Sequence, residues 1–369
     1  MKVAIFGAGS IGNHLAYSSR KRDWQVSVFD NDQLALARFK EQIYPGRYGS
    51  FDSGIKLYDS EKFTSLNKSF DVVMIGTPPD THLEILTDCV KTKPKVVYIE
   101  KPVCPPIETQ IFATKELILK NPDIKFLCGY NHRLSLIIQN LLNSIMTQED
   151  DVRDLEVSWL ESWDGIMKAH PWISSPTDTY LGSTNRGGGA LFEHSHGIDL
   201  WITLSRKLGK GNPIKVKGTL DLVKDSLGST QYDQSVFVEI TTESGFTGRI
   251  EQDVITTSVQ KTIDVIGNRN KYSASFSKNG FDELVCSPID DLKGGFDMKV
   301  KKPRPSDFDP SIDYINMLLS NKQRIGKTLH LDALSALFTS YVSMEVIRSS
   351  LSNESVNIDL AQWKGLLND

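Results

Sequence analysis

The sequence predicts two domains: a doubly wound α/β domain with a parallel sheet, then an α+β domain with an open, largely antiparallel sheet. Three observations carry this. The chain begins with an apolar β-type run that enters a glycine-rich loop. Residues 1 to about 125 then alternate strand and helix, with strands read as continuous apolar runs. After about residue 131 the pattern changes to several strands separated by turn signals. At 369 residues the chain has length for two domains, each with its own core.

The first strand, Lys2 to Phe6, runs into Gly7-Ala8-Gly9-Ser10-Ile11-Gly12, and a helix-like stretch follows from Asn13 to Lys21. Strand, G-x-G-x-x-G loop and helix in that order form a dinucleotide-binding fingerprint. Gly7 permits the tight turn, Gly9 lets a pyrophosphate approach the backbone, and Gly12 lets helix and strand pack closely. Ser10 and Ile11, within the loop, are also expected at the cofactor, and the N-terminus of the helix that follows offers free N–H groups and a partial positive charge. Gln25 to Phe29 alternates as a second strand and ends at Asp30, placed to accept from the adenosine ribose hydroxyls. Asn31 and Asp32 follow it, with no adjacent cation, which favours NAD over NADP. Asp30 or Asn31 is also suited to cap a helix through Leu34 to Phe39.

The next strand, Asp71 to Ile75, breaks at Gly76-Thr77-Pro78-Pro79-Asp80-Thr81-His82, and Leu83 to Val90 reads as a helix. Lys95 to Ile99 is a strand that ends at Glu100-Lys101-Pro102. Thr109 to Leu119 is helical, and Lys125 to Tyr130 is the last strand before Asn131-His132-Arg133. In a doubly wound sheet, ligands bind outside the carboxyl ends of the strands, where these segments gather. The boundary is set at 1–130 and 131–369.

In the second part a helix from about Ser135 to Met146 leads to a strand, Leu155 to Trp163. A polar loop bearing Trp and Pro follows. Gly187-Gly188-Gly189 then opens a helix to about Leu204. Strands are expected near 214–223, 234–242, 246–256, 261–267 and 271–276, and helices near 310–321 and 332–351. Val236, Val238 and Ile240 alternate with Phe237 and Glu239, and Ile250, Val254 and Ile263 add apolar groups. Apolar residues on both faces predict a covered second face, hence a homodimer or homotetramer built through this sheet.

Composition narrows the class. A net charge of −4 gives no electrostatic case for nucleic acid or an acidic membrane. No apolar run reaches the roughly 18 residues needed to span a bilayer. The first residues already form a strand, with no signal-peptide layout. Cys89, Cys104, Cys128 and Cys286 are scattered without C-x-x-C spacing, against a disulfide scaffold or zinc ribbon. A reducing, cytoplasmic setting is the simplest expectation. His194-Ser195-His196 with Glu193 is not expected to bind metal: residues two apart on a helix face apart, and no third ligand cluster exists.

The N-terminal fingerprint stands with Gly76 to His82, Glu100-Lys101-Pro102, Gly129-Tyr130-Asn131-His132-Arg133, and Gly187-Gly188-Gly189-Ala190-Leu191-Phe192-Glu193-His194-Ser195-His196-Gly197-Ile198-Asp199. In this order the five motifs resemble the Gfo/Idh/MocA family, the glucose–fructose oxidoreductase and inositol dehydrogenase group, as far as about Leu200. The resemblance implies an NAD-dependent oxidoreductase acting on a sugar, sugar derivative or nucleotide sugar. It implies that Lys101 and His196 are catalytic, that Glu100 contacts the nicotinamide ribose, and that Thr77, Pro78 and His82 flank the cofactor. Asn131 is implied to line the place where cofactor meets substrate. The family's commoner pattern sets an acid four residues before the histidine; here Glu193 lies three before His196. The E-x-S-H form looks like a subgroup acting on nucleotide or amino sugars, often in bacterial surface glycans. On one helix 193 and 196 would share a face, so Glu193 would orient His196, with Asp199 as the alternative partner. Redox-neutral glycoside cleavage and non-catalytic NAD sensing are the rival functions.

Overall fold

The computed structural model describes residues 1–65, 69–278, 280–289, 295–301, 307–320 and 329–367. The first sheet holds β1 (Lys2–Phe6), β2 (Gln25–Asp30), β3 (Lys56–Asp59), β4 (Val72–Ile75), β5 (Val96–Ile99) and β6 (Lys125–Cys128). All neighbours are parallel, in the order β3-β2-β1-β4-β5-β6. The order reverses at β1/β4, so the crevice above their carboxyl ends is the ligand position of a doubly wound sheet. Val72 to Ile75 and Val96 to Ile99 are fully buried, as expected for strands covered on both faces.

The helices of this half are α1 (Ser10–Arg20), α2 (Gln33–Arg38), α3 (Tyr44–Tyr48), α4 (Lys62–Ser65), α5 (His82–Lys91) and α6 (Glu108–Leu119). A π-helical turn, Phe39–Ile43, joins α2 to α3. β3 escapes sequence reading because it is short and only half-buried, so it shows neither alternation nor an apolar run.

The second half comprises α7 (Leu136–Thr147), β7 (Val152–Leu160), α8 (Trp163–Ala169), α9 (Gly189–Glu193) and α10 (His196–Lys207). Then come β8 (Pro213–Lys224), β9 (Thr230–Thr242), β10 (Thr247–Asp253), β11 (Gln260–Gly267), β12 (Asn270–Lys278), β13 (Phe281–Pro288) and β14 (Phe296–Lys301). The chain ends with α11 (Asp309–Leu319), α12 (Ala333–Ser352) and β15 (Val356–Asn357). Residue 321, the end of the helix expected near 310–321, lies outside the described residues. The sheet order is β14-β13-β12-β11-β7-β10-β9-β8-β15, antiparallel except for the parallel pair β7–β10. Ile312, Ile315 and Leu331 join the core cluster of the first sheet, so α11 packs on the first half.

Val236, Val238, Ile240, Ile250, Val254 and Ile263 are all buried within the chain. The first three share one face of β9, while Phe237 and Glu239 point to the other. On that free face Lys217, Glu239, Arg249 and Glu156 stand in one cross-strand row of alternating charge. Of the apolar residues that suggested a second hidden face, these six belong to the covered one, while Phe237 is exposed on the free one. Among the described residues no helix is long and apolar enough to cross a membrane.

Candidate active site

The glycine loop has the geometry its residues suggest. Gly7 has φ +101°, and a Cβ on Gly12 would lie 1.8 Å from the Gly7 carbonyl oxygen. Only glycine allows that contact of helix and strand. A Cβ on Gly9 would meet nothing within 4 Å, so it would project into the open cradle before α1. The residues therefore fit a dinucleotide diphosphate: bare backbone faces the space, with the N-terminus of α1 behind it.

Asp30 accepts from the Ala8 amide at 2.7 Å and from the Asp32 amide at 2.9 Å, so it ties the end of β2 to the glycine loop. The cap of α2 is Asp32, not Asp30 or Asn31: its side chain accepts from the Leu34 amide at 2.8 Å. The fold also brings Arg38 to Asp32, at 3.2 Å. Sequence proximity alone missed this cation, because it lies one turn and a half into the helix.

After β4, Thr77 and Pro78 line the neighbouring strand end. His82 is buried beneath them: Nε2 lies 2.8 Å from the Thr77 carbonyl and Nδ1 lies 3.0 Å from that of Val103. Burial lowers its pKa. His82 thus fastens the Thr77–Pro78 loop to the Glu100–Val103 loop from inside.

Glu100 is buried at the end of β5. Tyr98 donates to it at 2.9 Å, and a Cβ on Gly129 would lie 2.6 Å from its carboxylate. Burial pushes its carboxyl up to about 7. Next in sequence, Lys101 donates to the Glu193 carbonyl at 2.7 Å, and its Nζ lies 3.2 Å from Glu193 Oε2. Tyr180 donates to the same carboxylate at 3.4 Å. Lys101 comes from the parallel sheet and Glu193 from the far half, so this pair closes the floor of the cleft between them.

The helix expected across 187–204 is broken. α9 ends at Glu193 and α10 starts at His196, so 193 and 196 do not share one helical face. His194 lies at the break, buried, with Nε2 3.1 Å from the Glu161 carbonyl. Burial and the nearby Lys261 charge push it down to about 4, so it is neutral at pH 7. His196 packs against Tyr130, His132 and Trp159, with ring centroids 5.6, 4.7 and 5.7 Å away. Tyr130 adjoins Gly129, which abuts Glu100, so His196 lies beside the same site. Asp199 is held by a buried bidentate pair with Arg133 and by Thr339.

Asn131 donates to the Asp307 carbonyl at 3.1 Å, while its Oδ1 is buried with no hydrogen-bond partner among the described residues. An acceptor in that state suits a ligand with an N–H group, as a nicotinamide carboxamide has.

Two residues that hold the site were not foreseen. Tyr180 lies in a polar loop without periodicity. Asp233 is buried on β9, where it accepts from the Leu191 amide at 2.7 Å and from Thr184 at 3.2 Å. A Cβ on Gly189 would lie 2.1 Å from its Oδ1, so the glycine segment wraps a carboxylate at the start of α9. Register shifts between β8 and β9 change the strand's parity, which hid Asp233 among outward positions. Among the described residues no group of three or more His, Cys, Asp or Glu could hold a metal.

Residues 1–122 match the model of an oxidoreductase family with an NAD-binding Rossmann fold, Gfo/Idh/MocA. The match runs from β1 through α6. No curated protein matches the chain in sequence. Solved structures with the same fold include levoglucosan dehydrogenase in complex with NADH and levoglucosan, at 14% identity and TM-score 0.74, covering 97% of this chain and 99% of that one. An NAD-binding oxidoreductase from Klebsiella pneumoniae matches at 16% identity and TM-score 0.71, over 97% and 98%. An oxidoreductase domain protein from Kribbella flavida matches at 15% and 0.73, over 96% and 98%. The fold of these structures thus extends over nearly the whole chain.

Proposed function

We propose that this chain is an NAD-dependent dehydrogenase acting on a secondary alcohol or ketone of a sugar, sugar derivative or nucleotide sugar. The observation that carries the reading is the Lys101–Glu193 pair between the two halves, next to Glu100. Bound NAD would supply the hydride acceptor. The protein must then hold the carbinol carbon and take the hydroxyl proton. Of the three N–H donors of the Lys101 ammonium, two are directed to Glu193. A third can bind a substrate oxygen and steady negative charge on it. His196, whose imidazole lies beside the same site, is the base in this reading. The likeness of the fold to levoglucosan dehydrogenase supports a carbohydrate-type substrate.

The test is a panel of sugars, cyclic polyols and nucleotide sugars followed by NADH absorbance at 340 nm, with NAD present. Turnover of a panel member supports the proposal. NADH binding without turnover of any member would favour a sensing role instead.

A further inference from the structure

We propose that Lys261 is a positioning residue for this site. Its ion pair with Glu161 keeps the break between α9 and α10 in the form that places Glu193 on one side and His196 on the other. That role rests on the dehydrogenase reading of the site. No motif assigns Lys261, which lies on β11, well beyond the last motif in the sequence.

Lys261 Nζ lies 2.5 Å from Glu161 Oε2, and the two side chains are only 17% and 15% exposed. The pair is set by strand register. Lys261 stands directly opposite Trp159 on β7, and Glu161 follows the end of that strand. A Cβ on Gly165, in α8, would lie 3.1 Å from Glu161 Oε1, so the carboxylate is enclosed from that side as well.

Lys261 meets both histidines of the break. Its Nζ lies 5.6 Å from the centre of the Trp159 ring, and that ring lies 5.7 Å from His196. On the other side, Glu161 is bound to His194 through its backbone, where the carbonyl accepts from Nε2 at 3.1 Å. A carbonyl can only accept, so Nε2 carries the proton of the neutral ring. The charged groups acting on that ring are Lys261 of β11, Glu193 of α9 and Glu161 at the end of β7. Burial lowers the His194 pKa most and Lys261 lowers it further, while the two carboxylates raise it.

Removing one member of a buried ion pair leaves the other as an uncompensated charge. Without Lys261, the Glu161 carboxylate can recover a cation by drawing a proton onto His194. The imidazolium would then turn from the Glu161 carbonyl to its carboxylate and carry the break with it. A missing His194 ring only loosens the break; a charged one pulls it out of place. Lys261 thus acts on Glu193 and His196 through His194, without touching the reacting atoms.

The experiment compares the full-length wild type with Lys261→Met, Lys261→Arg and the double variant Lys261→Met/Glu161→Gln. Histidine Cε1–H signals are titrated by NMR, with that of His194 assigned by its loss in His194→Gln. In parallel, kcat is measured at pH 6 and pH 8 with a sugar that the wild type oxidises. In Lys261→Met, His194 should bind its proton at least about tenfold more tightly. Its kcat relative to the wild type should fall about tenfold or more at pH 6 and less at pH 8, where His194 sheds that proton. Lys261→Arg should keep both properties. The double variant should recover most of the loss in kcat, because the stranded carboxylate is gone. Should Lys261→Met not fold, Lys261→Gln gives the same readout with a donor left for Glu161. An unchanged His194 titration in the folded single variant, or a double variant no more active than the single one, would overturn the role of Lys261. Wild-type protein that oxidises no sugar of the panel would overturn the dehydrogenase reading, and the His194 titration alone would then decide whether Lys261 controls the break.

Discussion

Lys101 and Glu193 are joined twice across the cleft: Nζ donates to the Glu193 carbonyl at 2.7 Å and lies 3.2 Å from its carboxylate. Both side chains are largely buried, and they come from different halves of the molecule. The pair therefore fixes the distance between the strand end at Glu100 and the glycine segment before α9. The expected Glu193–His196 partnership was argued from one unbroken helix, and the helix breaks between the two.

Cofactor choice follows from Asp30, Asp32 and Arg38. A 2′-phosphate at the end of β2 would face two carboxylates, while Arg38 is already engaged by Asp32. NADH should bind at least about tenfold more tightly than NADPH, a difference of roughly 1.4 kcal/mol. Asp30→Ala should narrow that gap. Asp32→Ser should narrow it further, because it releases Arg38 and keeps a helix-capping side chain. Fluorescence titration of both cofactors measures this. Equal or stronger NADPH binding by the wild type would reject it.

Glu100 predicts a pH dependence of stability. Its carboxyl rises from an ordinary 4.5 to about 7 in the fold, because burial disfavours the charge. A raised pKa means the native state holds its proton more tightly than the unfolded state. The contribution is fully present below about pH 4.5 and is lost as pH rises toward 7. In the cofactor-free protein, Glu100→Gln should remove this loss. The variant's melting temperature should gain on the wild type between those limits. Parallel melting curves across that window would contradict the assignment.

The first domain was legible because its signals are local. Gly7, Gly9, Gly12 and Asp30 sit at fixed offsets from short apolar strands, and β1, β2, β4, β5 and β6 all lie where their apolar runs predict. The site was legible only by position along the chain. Lys101 and Glu193 stand 92 residues apart, and periodicity could not say that they meet. Nor could it locate the break at His194, which depends on a tertiary contact with the Glu161 carbonyl. Asp233 was hidden by a change of strand parity.

Asp233 should act on the site through backbone geometry. It accepts from the Leu191 amide and from Thr184, and burial pushes its carboxyl up to about 7. Asp233→Ala leaves a buried N–H and a hydroxyl without their acceptor and should cost on the order of 3 kcal/mol. Asp233→Asn keeps the shape and one acceptor oxygen, so it should cost less. Urea unfolding gives the stability, and kcat against KM gives the effect on the site. A fully stable and active Asp233→Ala would remove the residue from this role.

The chemistry predicts an order of effects among four variants. A positioned acid or base typically contributes about 10²–10⁴-fold to rate. Lys101→Ala and His196→Ala should each lower kcat by about that range. NADH affinity should change little, since the proposed dinucleotide contacts are at the glycine loop and Asp30. Glu193→Gln should also lower kcat substantially: it leaves the carbonyl contact to Lys101 but removes the charge that holds the ammonium. His194→Ala should affect stability more than kcat, because its ring is buried, neutral and directed to the Glu161 carbonyl. Steady-state kinetics with the substrate found in the panel, together with NADH titration, separates these cases. If His194→Ala abolished turnover in a stably folded protein while His196→Ala did not, the base would be His194, and the assignment of His196 would fail.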